Sequence, residues 1–398
     1  MTVLGIPAMS LVTPLGLGKA KNADGLFRGT RDGLASDFSL ASGKTVPVGR
    51  VGCELPGIPS ALADYDCRNN RLMLAALAEI GDDVAYAAEH YGADRVAVVL
   101  GTSTAGIAEG EDAWAAYRRD GAWPAGYRYT RQETGNLADF VARRLGLTGP
   151  AYTVATACSS SGKTFAAARR LMAAGLCDAA VVGGADSLCR LTLNGFASLE
   201  AISNAPCNPF SVNRNGITIG EGAAAFLLTR DPAPVALLGT GECSDAHHVS
   251  APDPSGQGAE TAMRLALEDA GLAAGDIAYV NLHGTATPLN DAMESKAMAA
   301  VFPPETPCSS TKAMTGHLLG AAGACEAAFL WLTLHPLFNP DRLLPPHLWD
   351  GIPDPVLPPL ALVTQGARVP ERQTLAMLSN SFAFGGNNVS LVLGRGMI

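Results

Sequence analysis

Aromatic and charged residues are scarce in this chain of 398 residues, at 6% and 16% of its composition. Low charge together with 48% hydrophobic residues excludes a largely disordered chain, because disordered chains combine high charge with low hydrophobicity. Basic residues are also few: 28 Lys and Arg stand against 37 Asp and Glu, which gives a net charge of −9. Since nucleic-acid-binding proteins need a basic surface, we do not expect this class.

The chain also lacks paired cysteines and long apolar runs. None of its nine cysteines stands in a CxxC spacing, so the sequence predicts neither a zinc site nor a dithiol redox motif. An odd number of irregularly spaced cysteines favours reduced thiols in the cytosol. No apolar run is long enough to cross a membrane, and the N-terminal MTVLGIPAMSLV lacks the basic start of a signal peptide. We therefore expect a soluble cytoplasmic protein with no membrane insertion.

Short apolar runs alternate with alanine-rich stretches along the chain. Runs such as 95–100 (RVAVVL) and 178–184 (DAAVVGG) predict buried strands, whereas 161–174 and 320–334 predict helices. Strands that are continuously apolar indicate sheets covered by helices on both faces, so the fold class is α/β. The pattern occurs twice, with a break near 231–234 (DPAP), although no clear sequence repeat is visible.

The sharpest chemical signal is the segment TVATACSSSG at 153–162, which places a cysteine between a strand and a helix. The positive end of the helix can favour the thiolate form of Cys158. Backbone N–H groups at the same turn can bind an oxyanion that forms on an attacked carbonyl. The alternative for this segment alone is a buried structural cysteine.

Three later motifs place polar groups at strand ends and tight turns. A histidine follows a strand in VNLHGTATPLND (280–291), and a lysine and a histidine surround a turn in STKAMTGH (310–317). Two glycines follow an aromatic residue in SNSFAFGGNN (379–388), which allows close approach of the backbone to a ligand. Each motif has a plain structural alternative, namely a hydrogen-bonded histidine, a capped helix with a solvated lysine, and an ordinary hairpin.

Together and in this order, the four motifs resemble those of the elongating β-ketoacyl-[acyl carrier protein] synthases, condensing enzymes of the thiolase superfamily. The motifs of that family, TACSS, HGTxTxxND, TKxxxGHxxGAAG and FGGxN, are found here at 156–160, 283–291, 311–323 and 384–388. The resemblance runs through nearly the whole chain and implies a five-layered αβαβα fold of two similar halves. We expect the halves at 1–235, with the cysteine, and 236–398, with both histidines and the glycine-rich turn.

The resemblance implies a decarboxylative Claisen condensation. Cys158 would accept an acyl chain from a carrier-protein thioester and hold it covalently. Malonyl-carrier protein would then lose CO₂, and its enolate carbon would attack the acyl group. His283 and His317 resemble the pair that binds the malonyl thioester carbonyl through N–H donors.

Further residues receive supporting roles from the same resemblance. The backbone N–H groups of Cys158 and Phe384 would form the oxyanion hole, and Phe384 would also be the gate residue. Lys312 would form a charge pair with Glu326, and Asp291, Thr285 and Thr287 would have supporting roles. Thr104 and Phe196 would line the acyl pocket. Neither a metal nor an organic cofactor is implied, because phosphopantetheine arrives on the carrier-protein substrate.

The implied partners are an acyl carrier protein and a second subunit. Carrier proteins of this type are acidic, so a local basic patch should steer docking despite the net charge. The candidates are Arg68, Arg71, Arg118, Arg119, Arg128 and Arg131, for which ordinary solvated charges are the alternative. The second subunit would complete a homodimer, or a heterodimer with a homologous ketosynthase or chain-length factor.

Departures from the family pattern bear on the pathway. The sequences Asn208-Pro-Phe-Ser211 and Asn213-Arg-Asn-Gly216 stand where the family has RPFD and RDG, and polar Thr104 replaces a common aliphatic residue. These features favour a polyketide or aryl-polyene ketosynthase over ordinary fatty-acid elongation. The competing hypothesis from another class is a non-catalytic chain-length-factor-like subunit, which would keep the fold and lose the nucleophile. A thiolase and a chain-initiating synthase fit less well, because the second cysteine of the former and the Cys-His-Asn set of the latter are missing.

Overall fold

The computed structural model describes residues 3–369 and 375–396. The strands in these ranges are β1 Leu4–Thr13, β2 Gly16–Leu17, β3 Leu34–Ser39, β4 Thr45–Gly49, β5 Val96–Gly101, β6 Ala151–Val154, β7 Ala179–Asp186, β8 Ile219–Gly220, β9 Gly222–Thr229, β10 Ala236–Ser244, β11 Ile277–Asn281, β12 Pro307–Ser309, β13 Ala361–Leu362, β14 Leu375–Phe382 and β15 Asn387–Arg395. The α-helices in the same ranges are α1 Gly18–Arg28, α2 Arg68–Leu77, α3 Gly81–Tyr91, α4 Ile107–Asp120, α5 Asn136–Leu145, α6 Ser160–Ala173, α7 Arg190–Ser198, α8 Gln257–Ala270, α9 Pro288–Val301, α10 Lys312–Thr315 and α11 Ala322–Leu334.

The first half of the chain builds a mixed sheet in the order β1-β9-β7-β5-β6. The first two pairings, β1 with β9 and β9 with β7, are antiparallel. The next two, β7 with β5 and β5 with β6, are parallel. The strands β5, β7 and β9 are buried along their whole length, as their continuous apolar runs predict for a sheet covered on both faces.

The second half repeats this arrangement in the order β10-β15-β14-β11-β12, with β13 added at the edge. Its pairings are again antiparallel, antiparallel, parallel and parallel. A short antiparallel contact of Leu4 and Gly5 with Leu237 and Ala236 joins the two sheets. The expectation of two similar α/β halves is therefore confirmed, although the duplication is visible in the topology and not in the sequence.

Helices α6 and α11 form the central layer between the two sheets. Helix α6 contacts β5 and β7 on one side and β10 and β15 on the other, and α11 contacts both sheets as well. Helices α2 and α5 cover the outer face of the first sheet, and α8 covers the outer face of the second. These contacts give five layers, as expected. Among the described residues, none of the helices combines the length and the apolar character that crossing a membrane requires.

The central helices touch through glycine. All thirteen residues of α11 are buried, which suits a sequence that is apolar apart from Glu326 and Thr333. A Cβ atom on Gly323 would lie 2.8 Å from the backbone nitrogen of Gly162 and 3.0 Å from its Cα. Ser161 Oγ also accepts the N–H of Ala324 at 2.9 Å across the same contact. Small residues therefore bring the N-terminal ends of the two helices together.

Candidate active site

Cys158 lies in the turn between β6 and α6, and its side chain is buried. The preceding residue, Ala157, has a φ of 52°, a left-handed conformation that is uncommon outside glycine. Ser160 Oγ fixes this turn, because it accepts the N–H of Thr156 at 2.8 Å and donates to the carbonyl of Ala157 at 2.6 Å. A strained Ala157 and the two hydrogen bonds of Ser160 thus fix the position of the Cys158 sulfur.

His317 contacts this sulfur from the other half of the protein. Its Nε2 lies 3.1 Å from Cys158 Sγ, and its backbone N–H donates to Thr218 at 2.6 Å. Burial, reinforced by the charge of Lys312, lowers the pKa of His317 well below its usual range. The imidazole is therefore neutral.

The thiol of Cys158 behaves differently from the expectation of a helix-stabilised thiolate. Burial raises its pKa to about 12, although the charge of Lys312 and a hydrogen bond from the backbone of Phe384 act in the opposite direction. Desolvation thus outweighs the charge of Lys312 and the Phe384 hydrogen bond. The resting pair is a neutral thiol beside a neutral imidazole.

Two buried carboxylates hold the loop that carries His283. The N–H groups of His283 and Gly284 donate to the two oxygens of Glu294, each at 2.7 Å. Asp291 accepts the N–H of Ala286 at 3.1 Å. Burial raises the pKa of Glu294 to about 7 and that of Asp291 to about 6. Asp291 was expected in this role and Glu294 was missed, although its place three residues later on α9 was an available signal.

Lys312 and Glu326 form an ion pair deep in the protein, where their side chains are 1% and 4% exposed. Lys312 Nζ also lies 3.4 Å from His283 Nδ1. Burial raises the pKa of Glu326 to about 7, against the opposing effect of the Lys312 charge. The pKa of His283 falls well below its usual range, first through burial and then through the charge of Lys312. Both histidines of the site are therefore neutral.

Phe384 covers the sulfur from the glycine-rich turn between β14 and β15. Its backbone N–H is hydrogen-bonded to Cys158, and its ring centroid lies 5.4 Å from that of Phe196. Gly385 and Gly386 follow with φ values of 81° and 75°, which glycine adopts without strain. The turn thus presents a backbone donor to the sulfur and an aromatic ring to the space beside it.

A cavity of about 250 Å³ leads to Cys158, and residues of both halves line it. Its lining includes both histidines, Phe384 and the expected pocket residue Phe196. Thr285 and Thr287 line it too, with their hydroxyl oxygens 3.0 Å apart. The remaining walls are largely apolar and include Leu199, Ala201, Ile217, Pro252, Leu289 and Phe382. A largely apolar cavity that is lined by a cysteine and two histidines suits a hydrophobic acyl group.

Comparison with known proteins agrees with this geometry. The family description "Beta-ketoacyl synthase, N-terminal domain" matches residues 48–233, and "Beta-ketoacyl synthase, C-terminal domain" matches residues 236–346. This chain belongs to the β-ketoacyl synthase family.

Curated and solved members of the β-ketoacyl synthase family resemble it to different extents. The 3-oxoacyl-[acyl-carrier-protein] synthase 2 of Rhizobium meliloti (strain 1021) is 38% identical over 268 residues, 63% of this chain and 62% of that protein. The Staphylococcus aureus protein of the same name is 34% identical over 265 residues, 62% of this chain and 64% of that protein. The match therefore spans less than two thirds of either relative.

Two solved structures match along the full length. One chain in the complex of the ketosynthase ApeO with its chain length factor ApeC, from Xenorhabdus doucetiae, is 45% identical. It superimposes with a TM-score of 0.93, and the match covers 99% of this chain and 98% of that one. A chain of the ishigamide ketosynthase/chain length factor is 25% identical, with a TM-score of 0.87 and 99% of both chains covered.

Thr104 is placed differently from the expectation that it lines the acyl pocket of this β-ketoacyl synthase. Its hydroxyl donates to Asp186 Oδ1 at 2.9 Å and accepts the N–H of Ser187 at 3.0 Å, away from the cavity at Cys158. Asp186 also accepts the N–H of Ser103 at 2.7 Å and that of Gly320 at 2.5 Å. Asp186 was missed, although an acidic residue at the end of an apolar strand signals a buried acceptor.

Most of the arginines expected to dock a carrier protein are bonded to the chain itself. Arg68 Nε donates to the buried carboxylate of Glu221 at 2.7 Å, so part of the hydrogen-bonding capacity of Arg68 is used within the chain. The other bonded arginines are Arg71 with Asp66, Arg119 with Asp120, Arg128 with Asp64, and Arg131 with the carbonyls of Ala63 and Asp64. Arg118 is exposed at the end of α4. The docking role of these residues stays a prediction, and it is weakest for Arg68.

Proposed function

We propose that this protein condenses an acyl chain held on Cys158 with malonyl-[acyl carrier protein], which gives β-ketoacyl-[acyl carrier protein] and CO₂. The observation that carries the proposal is the 3.1 Å contact of Cys158 Sγ with His317 Nε2, at a cavity that His283 also lines. The same buried site holds the Lys312–Glu326 pair. A non-catalytic subunit would not require a cysteine, two histidines and a buried ion pair in one site.

Acyl transfer begins with the neutral thiol. As Cys158 Sγ forms a bond to the thioester carbon, its proton passes to the neutral Nε2 of His317. The backbone N–H groups of Cys158 and Phe384 stabilise the oxyanion of the tetrahedral intermediate. The bond to the phosphopantetheine sulfur then breaks, and this sulfur takes up the proton as it leaves. The acyl chain is now a thioester of Cys158.

Condensation needs an enolate, and the two imidazoles supply donors for it. Lys312 Nζ lies 3.4 Å from His283 Nδ1, so the ammonium donates to Nδ1 and keeps the ring proton on Nε2. The Nε2–H of His283 then donates to the malonyl thioester oxygen as negative charge develops there, and His317 donates as well once its ring proton has moved through solvent from Nδ1 to Nε2. The bond to the carboxylate breaks with release of CO₂, and the enolate carbon attacks the acyl-cysteine. The Cys158 thiolate leaves and takes up one proton from solvent, which is the proton that the overall condensation consumes.

The full-length resemblance supports a proposal for the partner and the pathway. A solved relative at 45% identity is a chain of a ketosynthase–chain length factor complex, so we propose that this protein pairs with a homologous subunit of that kind. Strand β6 supports the pairing, because it is the last strand in its sheet and one of its edges has no partner strand among the described residues. We further propose conjugated polyketide or aryl-polyene chains as substrates, without a metal or organic cofactor.

Intact-mass spectrometry tests the proposal. Wild-type protein, alone and with candidate partner subunits, is incubated with saturated, unsaturated and aryl-acyl carrier proteins, beside Cys158→Ala and Cys53→Ala. Cys53 is a matched control, because it is a free cysteine that does not line the active-site cavity. Acyl adducts on wild type and Cys53→Ala, and none on Cys158→Ala, are expected.

Two outcomes would contradict parts of the proposal. No adduct with any chain, even with a partner subunit, would overturn the catalytic function and favour the chain-length-factor-like subunit. Equal turnover of saturated chains of many lengths, with no preference for unsaturated or aryl chains, would overturn the pathway assignment alone.

A further inference from the structure

Cys158, His283 and His317 bring three metal-binding atoms to one point in the cavity. The sulfur and one nitrogen of each ring all lie within 4.8 Å of one another, and Sγ is 3.1 Å from His317 Nε2. Around a tetrahedral Zn²⁺ ion with ordinary Zn–S and Zn–N bonds, neighbouring ligand atoms are roughly 3.3–3.6 Å apart. The pair at 3.1 Å is already close to this spacing, whereas atoms at the outer limit of 4.8 Å would have to approach by roughly an ångström to form a zinc site. The spacing was invisible in the sequence, because the three residues come from distant motifs.

Both rings are already oriented as ligands. His283 directs Nδ1 to Lys312 Nζ, which leaves Nε2 for the cavity, and His317 directs Nε2 to the sulfur. The backbone on which each ring stands is fixed, by Glu294 for His283 and by Thr218 for His317. Such preorganisation favours metal binding without rearrangement of the loops.

We infer that Zn²⁺, or another soft divalent ion, binds Cys158 Sγ, His283 Nε2 and His317 Nε2 and reversibly blocks acylation. The cavity leaves a fourth position open to water, which completes a tetrahedral site. The thiol loses its proton to solvent when the Zn–S bond forms, so one proton is released for each ion and nothing is oxidised or reduced. The inhibitory consequence rests on the proposed function, whereas the binding itself does not.

The neighbouring charges set a limit on affinity. The Lys312 ammonium stands 3.4 Å from the His283 ring and repels a cation, while the paired Glu326 offsets part of that repulsion. His317 Nδ1 also has no hydrogen-bond partner among the described residues, although the second nitrogen of a metal-bound histidine usually has one. The site should therefore bind zinc more weakly than a structural zinc site, so that chelators remove the ion from folded protein.

Cobalt gives a readout that is independent of activity. Reduced full-length protein is titrated with Co²⁺, whose thiolate charge-transfer and tetrahedral bands report a sulfur ligand, and Zn²⁺ is then added to displace it. One equivalent of Co²⁺ should produce the bands in wild type and in the control Cys53→Ser. Cys158→Ser, which keeps the side-chain volume, should lose the charge-transfer band, and His317→Ala should weaken binding. Absence of the bands in wild type, or their persistence in Cys158→Ser, would overturn the inference.

Acylation on the same preparations separates this inference from the proposed function. Zn²⁺ should abolish the acyl adduct seen by intact mass, EDTA should restore it, and protein acylated beforehand should give no cobalt bands. An adduct that forms in protein showing no cobalt bands would refute the metal site and leave the condensing function standing. Cobalt bands without any acyl adduct would refute the condensing function and leave the metal site standing.

Discussion

Replacing Glu326 by glutamine should lower the melting temperature of this protein by about 4–6 °C. The side chains of Lys312 and Glu326 are 1% and 4% exposed, so the variant leaves an ammonium buried without its counter-charge. Breaking such a pair by removing one partner costs about 3–5 kcal/mol. An unfolding entropy of about 2.1 cal/mol/K per residue converts that cost, for a chain of this length, to the stated change. Lys312→Met should have a similar effect, because it leaves the carboxylate alone.

The double variant Lys312→Met/Glu326→Leu distinguishes stability from catalysis. Apolar side chains of similar volume often replace a buried ion pair at no cost, so its melting temperature should return close to that of wild type. Condensation should nevertheless stay as slow as in Lys312→Met, because no ammonium faces His283 Nδ1 in either protein. Calorimetry on the four proteins, with condensation rates on malonyl-carrier protein, measures both effects. Single variants as stable as wild type, or a double variant as unstable as the sum of the two, would refute the reasoning.

Three further perturbations act on the helix contact, the histidine loop and the glycine-rich turn. Gly323→Ala puts a Cβ atom 2.8 Å from a backbone nitrogen of the facing helix and should cost about 1–3 kcal/mol in urea denaturation, whereas Gly195→Ala, with nothing within 4 Å, should not destabilise the protein. Burial raises the pKa of Glu294 from 4.5 to about 7, so the folded state binds this proton more tightly than the unfolded state does. Stability from this group should therefore fall as the pH rises from about 4.5 to 7, and urea midpoints of Glu294→Gln should show a smaller slope. Gly386→Ala puts a Cβ atom 2.8 Å from Cβ of Asp245 and should slow acylation in a mass-spectrometric time course. The control Gly351→Ala has a similar φ of 79° and open space around it, so it should leave the rate unchanged.

The four motifs of the candidate site could be located from the sequence because each is local. Cys158 lies four residues after β6 and His283 two residues after β11, and the glycines after Phe384 mark a turn whatever the rest of the chain does. The acceptors that hold these turns could not be found in the same way. Asp186 binds Gly320, which lies 134 residues further along the chain, and nothing in a local pattern shows such a partner.

Burial and pairing of charge also required the structure. Arg68 was expected on a docking surface, and the structure adds an ion pair with Glu221, 153 residues away, that the sequence did not show. Thr104 was expected in the acyl pocket because the family commonly has an aliphatic pocket residue at this position, but its hydroxyl donates to Asp186. In both cases the partner is a distant carboxylate that no local pattern in the sequence shows.

The equivalence of the two sheets makes the reacting groups counterparts of one another. Strand β6 leads through Cys158 into α6, and β12, at the same place in its own sheet, leads through Lys312 and His317 into α11. A pseudo-twofold relation between the halves thus sets nucleophile and histidine face to face, with the glycine contact of the two helices beside them. The distance between Cys158 Sγ and His317 Nε2 therefore depends on the alignment of the two halves of the chain. A partner subunit that tilts one half of the chain against the other would change the Cys158–His317 distance without contacting either residue.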